Sequence, residues 1–172
     1  MQSGPPQFID PARLADTRDE LSGVLSIDDM LRLQALVTGH TDSIQFDLRF
    51  DRDDKKRIRI SGRYSACLIM ACQRCLQAIE VEIVRPVNVV LLANEDDAET
   101  LPEEVEPMLM TTKVMSLPMF LEEELLLALP LAPRHDTSEC HVTESQSDKS
   151  VVIDRQHPFE VLKDLKLKNS KD

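Results

Sequence analysis

The feature that most constrains this chain is a strict apolar alternation, interrupted twice, running from Ser43 to about residue 93. From Ser43 to Phe50 the apolar positions are Ile44, Phe46, Leu48 and Phe50, with Gln45, Asp47 and Arg49 between them. A period of two marks a strand with one buried face. Asp51 to Asp54 makes a polar turn. Ile58, Ile60, Tyr64, Ala66, Leu68 and Met70 then share one face, and Arg57, Arg59 and Arg63 share the other. Past Cys72-Gln73-Arg74-Cys75 the alternation resumes through Ile79, Val81, Ile83, Val87, Val89 and Leu91. Three consecutive strands with short connections, over about 43–50, 56–71 and 76–93, predict an antiparallel sheet or a partly closed barrel. The Cys-x-x-Cys then sits at a hairpin tip.

Helical signals flank this block, so the predicted class is α+β. Residues 7–10 suit a short edge strand. Asp10 is a good N-cap and Pro11 fits the first helical position, which predicts a helix over about 11–20. Ser26 and Asp29 resemble a capping box ahead of Ile27, Met30, Leu31, Leu33 and Val37, with Gly39 as the stop. The clearest helix spans about 118–129. Ser116 caps it, Pro118 lies in its first turn, and Leu121, Leu125, Ala128 and Leu129 form a stripe that should cover the sheet. Residues 94–118 read as a long acidic connection with one short strand near 108–114. A single domain over 1–142 is expected, then a mobile polar segment, 143–157, and a short amphipathic segment with a Lys-rich end, 158–172. In the fold, Ile58, Ile60, Leu68, Val81, Ile83, Leu125 and Leu129 should be buried together.

Composition narrows the function. Aromatic residues make up only 3% and Trp is absent, so the core is aliphatic. The formal net charge is −11. Residues 94–124 hold ten acidic side chains against one Lys, while small basic concentrations occur at 52–63 and 163–171. A chain binding nucleic acid through phosphates alone would carry the opposite excess. No apolar run approaches the roughly 20 residues of a membrane span. The start lacks the layout of a secretory signal. A cytoplasmic protein without membrane contact is expected; the sequence carries no sign of oligomeric state.

Four cysteines are present: Cys67, Cys72, Cys75 and Cys140. A two-residue gap on a tight turn lets the thiolates of Cys72 and Cys75 face one ion, as in zinc knuckles. A thioredoxin-like pair would instead open a helix, and no helical period follows Cys75. His135 and Cys140, on the Pro-bounded loop after the helix, can complete a closed Cys₃His site for zinc. His141 is the competing imidazole, and reduced cysteines in a turn and a loop are the plainer reading. Cys67 falls on the arginine-bearing face of its strand without a partner at ligand spacing. Glycine-rich phosphate loops, nucleophile elbows and metalloprotease helices are absent.

Several stretches together resemble the YceD family of large ribosomal RNA subunit accumulation proteins. They are Leu68 to Leu76 (LIMACQRCL), Leu101 to Pro107 (LPEEVEP), Glu122 to Cys140 (EEELLLALPLAPRHDTSEC) and the terminal Pro158-Phe159-Glu160-Val161-Leu162. The resemblance covers nearly the whole chain. It implies a bacterial, non-enzymatic accessory factor in the synthesis, processing or stability of large-subunit (23S) ribosomal RNA, acting in ribosome biogenesis. It also implies a variable second ligand pair, because some relatives carry extra cysteines where this chain has His135 and Cys140.

The partner is then large-subunit ribosomal RNA or a precursor particle, reached directly or through a protein adaptor. The candidate contact surface is the strand face with Arg57, Arg59 and Arg63, extended by Lys55, Lys56 and Arg74. The plainer reading of that face is an exposed strand whose charges supply solubility and block edge pairing. Two other functions stay open. One is a ribonuclease or metal-dependent hydrolase, which requires an open metal position or an acid–base pair in a cleft. The other is a thiol-based redox sensor built on Cys72 and Cys75.

Overall fold

The computed structural model describes residues 4–40, 43–136 and 140. The expectations for 143–157, 158–172 and His141 lie outside these residues. The class is α+β, with a large open sheet covered on one face by helices. In chain order the elements are β1 (Phe8–Ile9), α1 (Pro11–Thr17), β2 (Glu20–Leu25), a 3₁₀ turn (Ile27–Asp29), α2 (Leu31–Gln34), β3 (Gly39–His40), β4 (Ile44–Arg52), β5 (Ile58–Ala71), β6 (Ala78–Leu92), a second 3₁₀ turn (Glu95–Thr100), β7 (Glu106–Leu109), β8 (Met115–Ser116) and α3 (Leu117–Ala128).

The predicted hairpins form the centre of the sheet. β4 pairs antiparallel with β5, and β5 with β6, from Ile58↔Leu91 to Ala71↔Ala78. Ile44, Phe46, Leu48, Phe50, Ile60, Tyr64, Ala66 and Leu68 all point into one core, as their alternation requires. α3 closes that core with Leu117, Phe120, Leu121 and Leu125. Of the seven residues expected to share the core, Ile60, Leu68, Ile83 and Leu125 are buried, and Ile58, Val81 and Leu129 pack against it partly exposed. A fully buried aliphatic side chain contributes roughly 1.5–3 kcal/mol, so this face supplies most of the stabilisation.

The sheet is larger than the alternation predicted, and it stays open. Its order is β2-β4-β5-β6-β7, with β3 also paired to β5. β7 joins β6 in parallel, which departs from the expected all-antiparallel pattern. The helix expected over 11–20 ends at Thr17, because Arg18 adopts a left-handed conformation (φ 55) and turns the chain into β2. Asp10 caps it as expected, accepting from the Arg13 N–H at 3.1 Å. The helix expected after Ser26 is instead a 3₁₀ turn followed by one turn of α-helix. Ser26 accepts from Asp28, and Gly39, expected as a helix stop, pairs with Ile69 in the sheet. Of the strand expected near 108–114 only Met108 and Leu109 are extended, as the end of β7; residues 110–114 are a loop, and β8 follows at Met115–Ser116 and pairs with β1.

α2 has no capping side chain of its own. Glu122, buried on α3, does that work from a distance: its Oε1 accepts from the Arg32 N–H at 2.8 Å and the Leu33 N–H at 3.1 Å. An orphan pair of helix N–H groups and a buried carboxylate satisfy each other, and the contact fixes α2 on α3.

Candidate metal centre

The connection between the paired ends of β5 and β6 is Cys72 to Gln77. Its backbone is tightly turned: Cys72 N–H donates to the Gln77 carbonyl at 2.8 Å, and Leu76 N–H to the Cys72 carbonyl at 2.9 Å. Leu76 sits at φ 62 to make that turn. After α3, the proline-bounded segment comes back along this connection. Gln73 N–H donates to the Pro133 carbonyl at 2.8 Å, which holds the two segments together.

Four donor atoms converge there. One ligand atom each from Cys72, Cys75, His135 and Cys140 lies within 4.8 Å of the others. Cys72 Sγ is 3.8 Å from Cys140 Sγ, and Cys75 Sγ is 3.4 Å from His135 Nδ1. Two sulfurs bound at ~2.3 Å to one tetrahedral ion stand ~3.8 Å apart, and a sulfur and an imidazole nitrogen about 3.5 Å. The residues therefore fit a tetrahedral ion. His135 Nε2 donates to the Ala78 carbonyl at 2.9 Å, which fixes the ring and leaves Nδ1 to ligate.

Without an ion, the electrostatics favour one thiolate, at Cys72. Burial alone would raise the Cys72 thiol, but the backbone N–H groups of Cys75, His135 and Arg74 and the Cys75 side chain outweigh it, bringing the group down to about 5. Burial first, then the neighbouring Cys75 and Cys72, push Cys140 up to about 11. Hydrogen bonding to Cys75 and Cys72 raises His135. One stabilised thiolate discourages the next, and a dication in the middle relieves that conflict. With four protein donors the site can cross-link two segments, and no position is left for a substrate.

The arginine face is dispersed. Arg57 is tied to Asp53 (2.6 Å) with both side chains mostly covered, and it also donates to Thr100 Oγ1 at 3.1 Å. Arg59 donates to Asn88 Oδ1 at 3.0 Å. Arg63 is exposed but stands opposite Asp47 in the β4–β5 register. Arg74 is exposed on the 72–77 turn, apart from the others. Cys67 faces the open side of the sheet, in a depression it shares with Ser65, Glu80 and Glu82.

A cleft of about 360 Å3 that sequence reading did not anticipate is lined by Tyr64, Arg85, Pro86, Glu106, Glu124, Leu127 and Ala128. Burial, then the nearby Glu106 and Glu123, push the Glu124 carboxyl up to about 7. Burial raises Tyr64 to about 12, and its hydroxyl donates to the Glu124 backbone carbonyl at 2.8 Å. Only the long-range meeting of β5, β6, β7 and α3 makes this cleft. The one local signal was a Tyr among apolar strand positions.

The model of the family described as large ribosomal RNA subunit accumulation protein YceD matches residues 60–166. The chain belongs to the YceD family. The match begins within β5 and takes in the 72–77 turn, α3 and all four donors. A Haemophilus influenzae protein named large ribosomal RNA subunit accumulation protein YceD is 29% identical over 168 residues, covering 95% of this chain and 97% of the relative. No solved structure matches this YceD chain.

Proposed function

We propose that this protein is a non-catalytic accessory factor for large-subunit ribosomal RNA, acting in the bacterial cytoplasm on the RNA or a precursor particle, directly or through a protein adaptor. Family membership across most of the chain carries the reading. The geometry agrees with it, because a four-donor cluster serves as a structural clamp with no coordination position left for hydrolysis. We assign zinc to that cluster on its donor set and spacing. The experiment is deletion of the gene, followed by measurement of mature large- and small-subunit ribosomal RNA. A lowered large-to-small ratio, restored by the wild-type gene, is expected. A normal ratio under every growth condition would sink the proposal.

The hydrolase alternative draws on one observation, the raised carboxyl of Glu124 beside Tyr64 and Glu106 in a cleft. A general acid working near neutrality has these properties. Cleavage of precursor RNA by purified protein, abolished in Glu124→Gln, would favour that alternative.

A further inference from the structure

Two contacts bracket a pair of arginines that are 60 positions apart in the chain. Gln73 N–H bonds to the Pro133 carbonyl at 2.8 Å, and Cys75 Sγ meets His135 Nδ1 at 3.4 Å. Arg74 lies between the first members of these contacts and Arg134 between the second. The backbone at Arg74 and at Arg134 therefore runs alongside, and both side chains are exposed. Among the described residues neither forms an ion pair, whereas Arg32, Arg49, Arg52, Arg57 and Lys113 each have a carboxylate partner. Two exposed guanidinium groups on adjoining backbone, without a carboxylate partner, leave their N–H donors available to one anion. On the Arg74 side, Ala71 to Ile79 contains no acidic residue, in a chain of net charge −11; on the Arg134 side the nearest acid is the exposed Asp136, two residues on. Approach of a polyanion is repelled elsewhere and tolerated here.

We propose that Arg74 and Arg134 form a phosphate clamp for RNA, set at the right spacing by the Cys72–Cys75–His135–Cys140 cluster. The proposal deepens the reading of this protein as a ribosomal RNA factor and rests on it. Guanidinium pairs grip phosphodiester oxygens through directed N–H donors, and the metal-held backbone orders both arginines before the RNA arrives. Arg134 becomes a contact residue that the strand-face reading did not contain.

The test uses the zinc-loaded full-length chain and a short fluorescein-labelled single-stranded RNA, with affinity measured by anisotropy across a salt series. The Arg74→Ser/Arg134→Ser variant is expected to bind about tenfold more weakly, with the salt slope shallower by about 1.4, the release from two phosphates. Arg13→Ser/Arg18→Ser removes the same charge elsewhere, at exposed positions outside either arginine surface, and is expected to keep the wild-type slope. Zinc content of the clamp variant is expected to match wild type. An unchanged slope in the clamp variant overturns the proposal, as does an equal loss in the charge-matched control. Loss of zinc from the clamp variant also overturns it, because the arginines would then only balance the thiolates. Displacement of the RNA by inorganic phosphate at constant ionic strength would assign the clamp to a free anion instead. Each of these results leaves the ribosomal RNA ratio in the deletion strain as a separate measurement, so failure of the clamp and failure of the broader role are distinguishable.

Discussion

Gly62 and Glu124 show how single residues set limits on this fold. Gly62, in the middle of β5, has φ +148, and a Cβ built there would stand 2.0 Å from the Asp47 carbonyl oxygen. The neighbour is backbone in β4, so nothing can rotate away. Gly62→Ala is expected to cost at least about 2 kcal/mol, read as a lower urea midpoint with an unchanged slope. A midpoint within error of wild type would show that the β4–β5 pairing is looser than described. Glu124 acts through its proton. Its folded value of about 7 lies above the ordinary carboxylate value of 4.5, so between these pH values the folded protein holds a proton that the unfolded chain has released. Stability from this group therefore falls as pH rises through that window. Glu124→Gln is expected to gain about 1 kcal/mol relative to wild type between pH 5 and 8, a modest figure because the carboxyl is half exposed and screened. Urea midpoints of both zinc-loaded proteins at the two pH values check this, and a constant difference would contradict it.

Among the elements, α3 is docked on the sheet by its buried apolar face, and an ion held by the four donors would add a cross-link between the 72–77 turn and the segment after α3. Zinc near one equivalent is expected by elemental analysis of protein purified without chelator. Chelation, or Cys72→Ser, is expected to lower the melting temperature and speed amide exchange in 72–77 ahead of β4. Less than about a tenth of an equivalent, with unchanged stability in Cys72→Ser, would remove the ion from the account. The elements also show which signals a sequence carries. β4, β5 and β6 were legible because each alternates over many residues, so a wrong register would expose an entire apolar face. β2 is not among the expected elements although Leu21, Gly23 and Leu25 alternate inward against Leu48, Phe46 and Ile44, since its six residues lie between two helical signals and Gly23 dilutes a short alternation. Ile27, Met30 and Leu33 recur every three residues, a spacing shared by an α-helix and a 3₁₀ turn; only the reach of Glu122 decides where the helix begins. The parallel pairing of β7 has no local signature. At the site, donor types and the Cys-x-x-Cys spacing were visible in the sequence, whereas the register of Arg74 with Arg134 needed the Gln73–Pro133 bond.

The whole molecule is an acidic body, net −11, with one face of its sheet open and one short stretch without acids, Ala71 to Ile79, at the four-donor cluster. A polyanion meets repulsion over most of that surface. Arbitrary RNA is therefore expected to bind weakly at physiological salt, through few phosphates, and a steep salt dependence in a gel-shift series would contradict this picture. Another property of the whole follows from where the four donors fall along the chain. Cys140 comes 65 residues after Cys75, with β6, β7 and α3 encoded between them. A nascent chain is made from its N-terminus, so the hairpin thiols emerge first as an open half-site and wait for β6, β7 and α3 to be synthesised. An ion could be held by all four donors only once the last of them has been translated. A product cut short before residue 140 would lack one of the four donors, so tight metal capture is expected to separate chains that reach Cys140 from shorter ones.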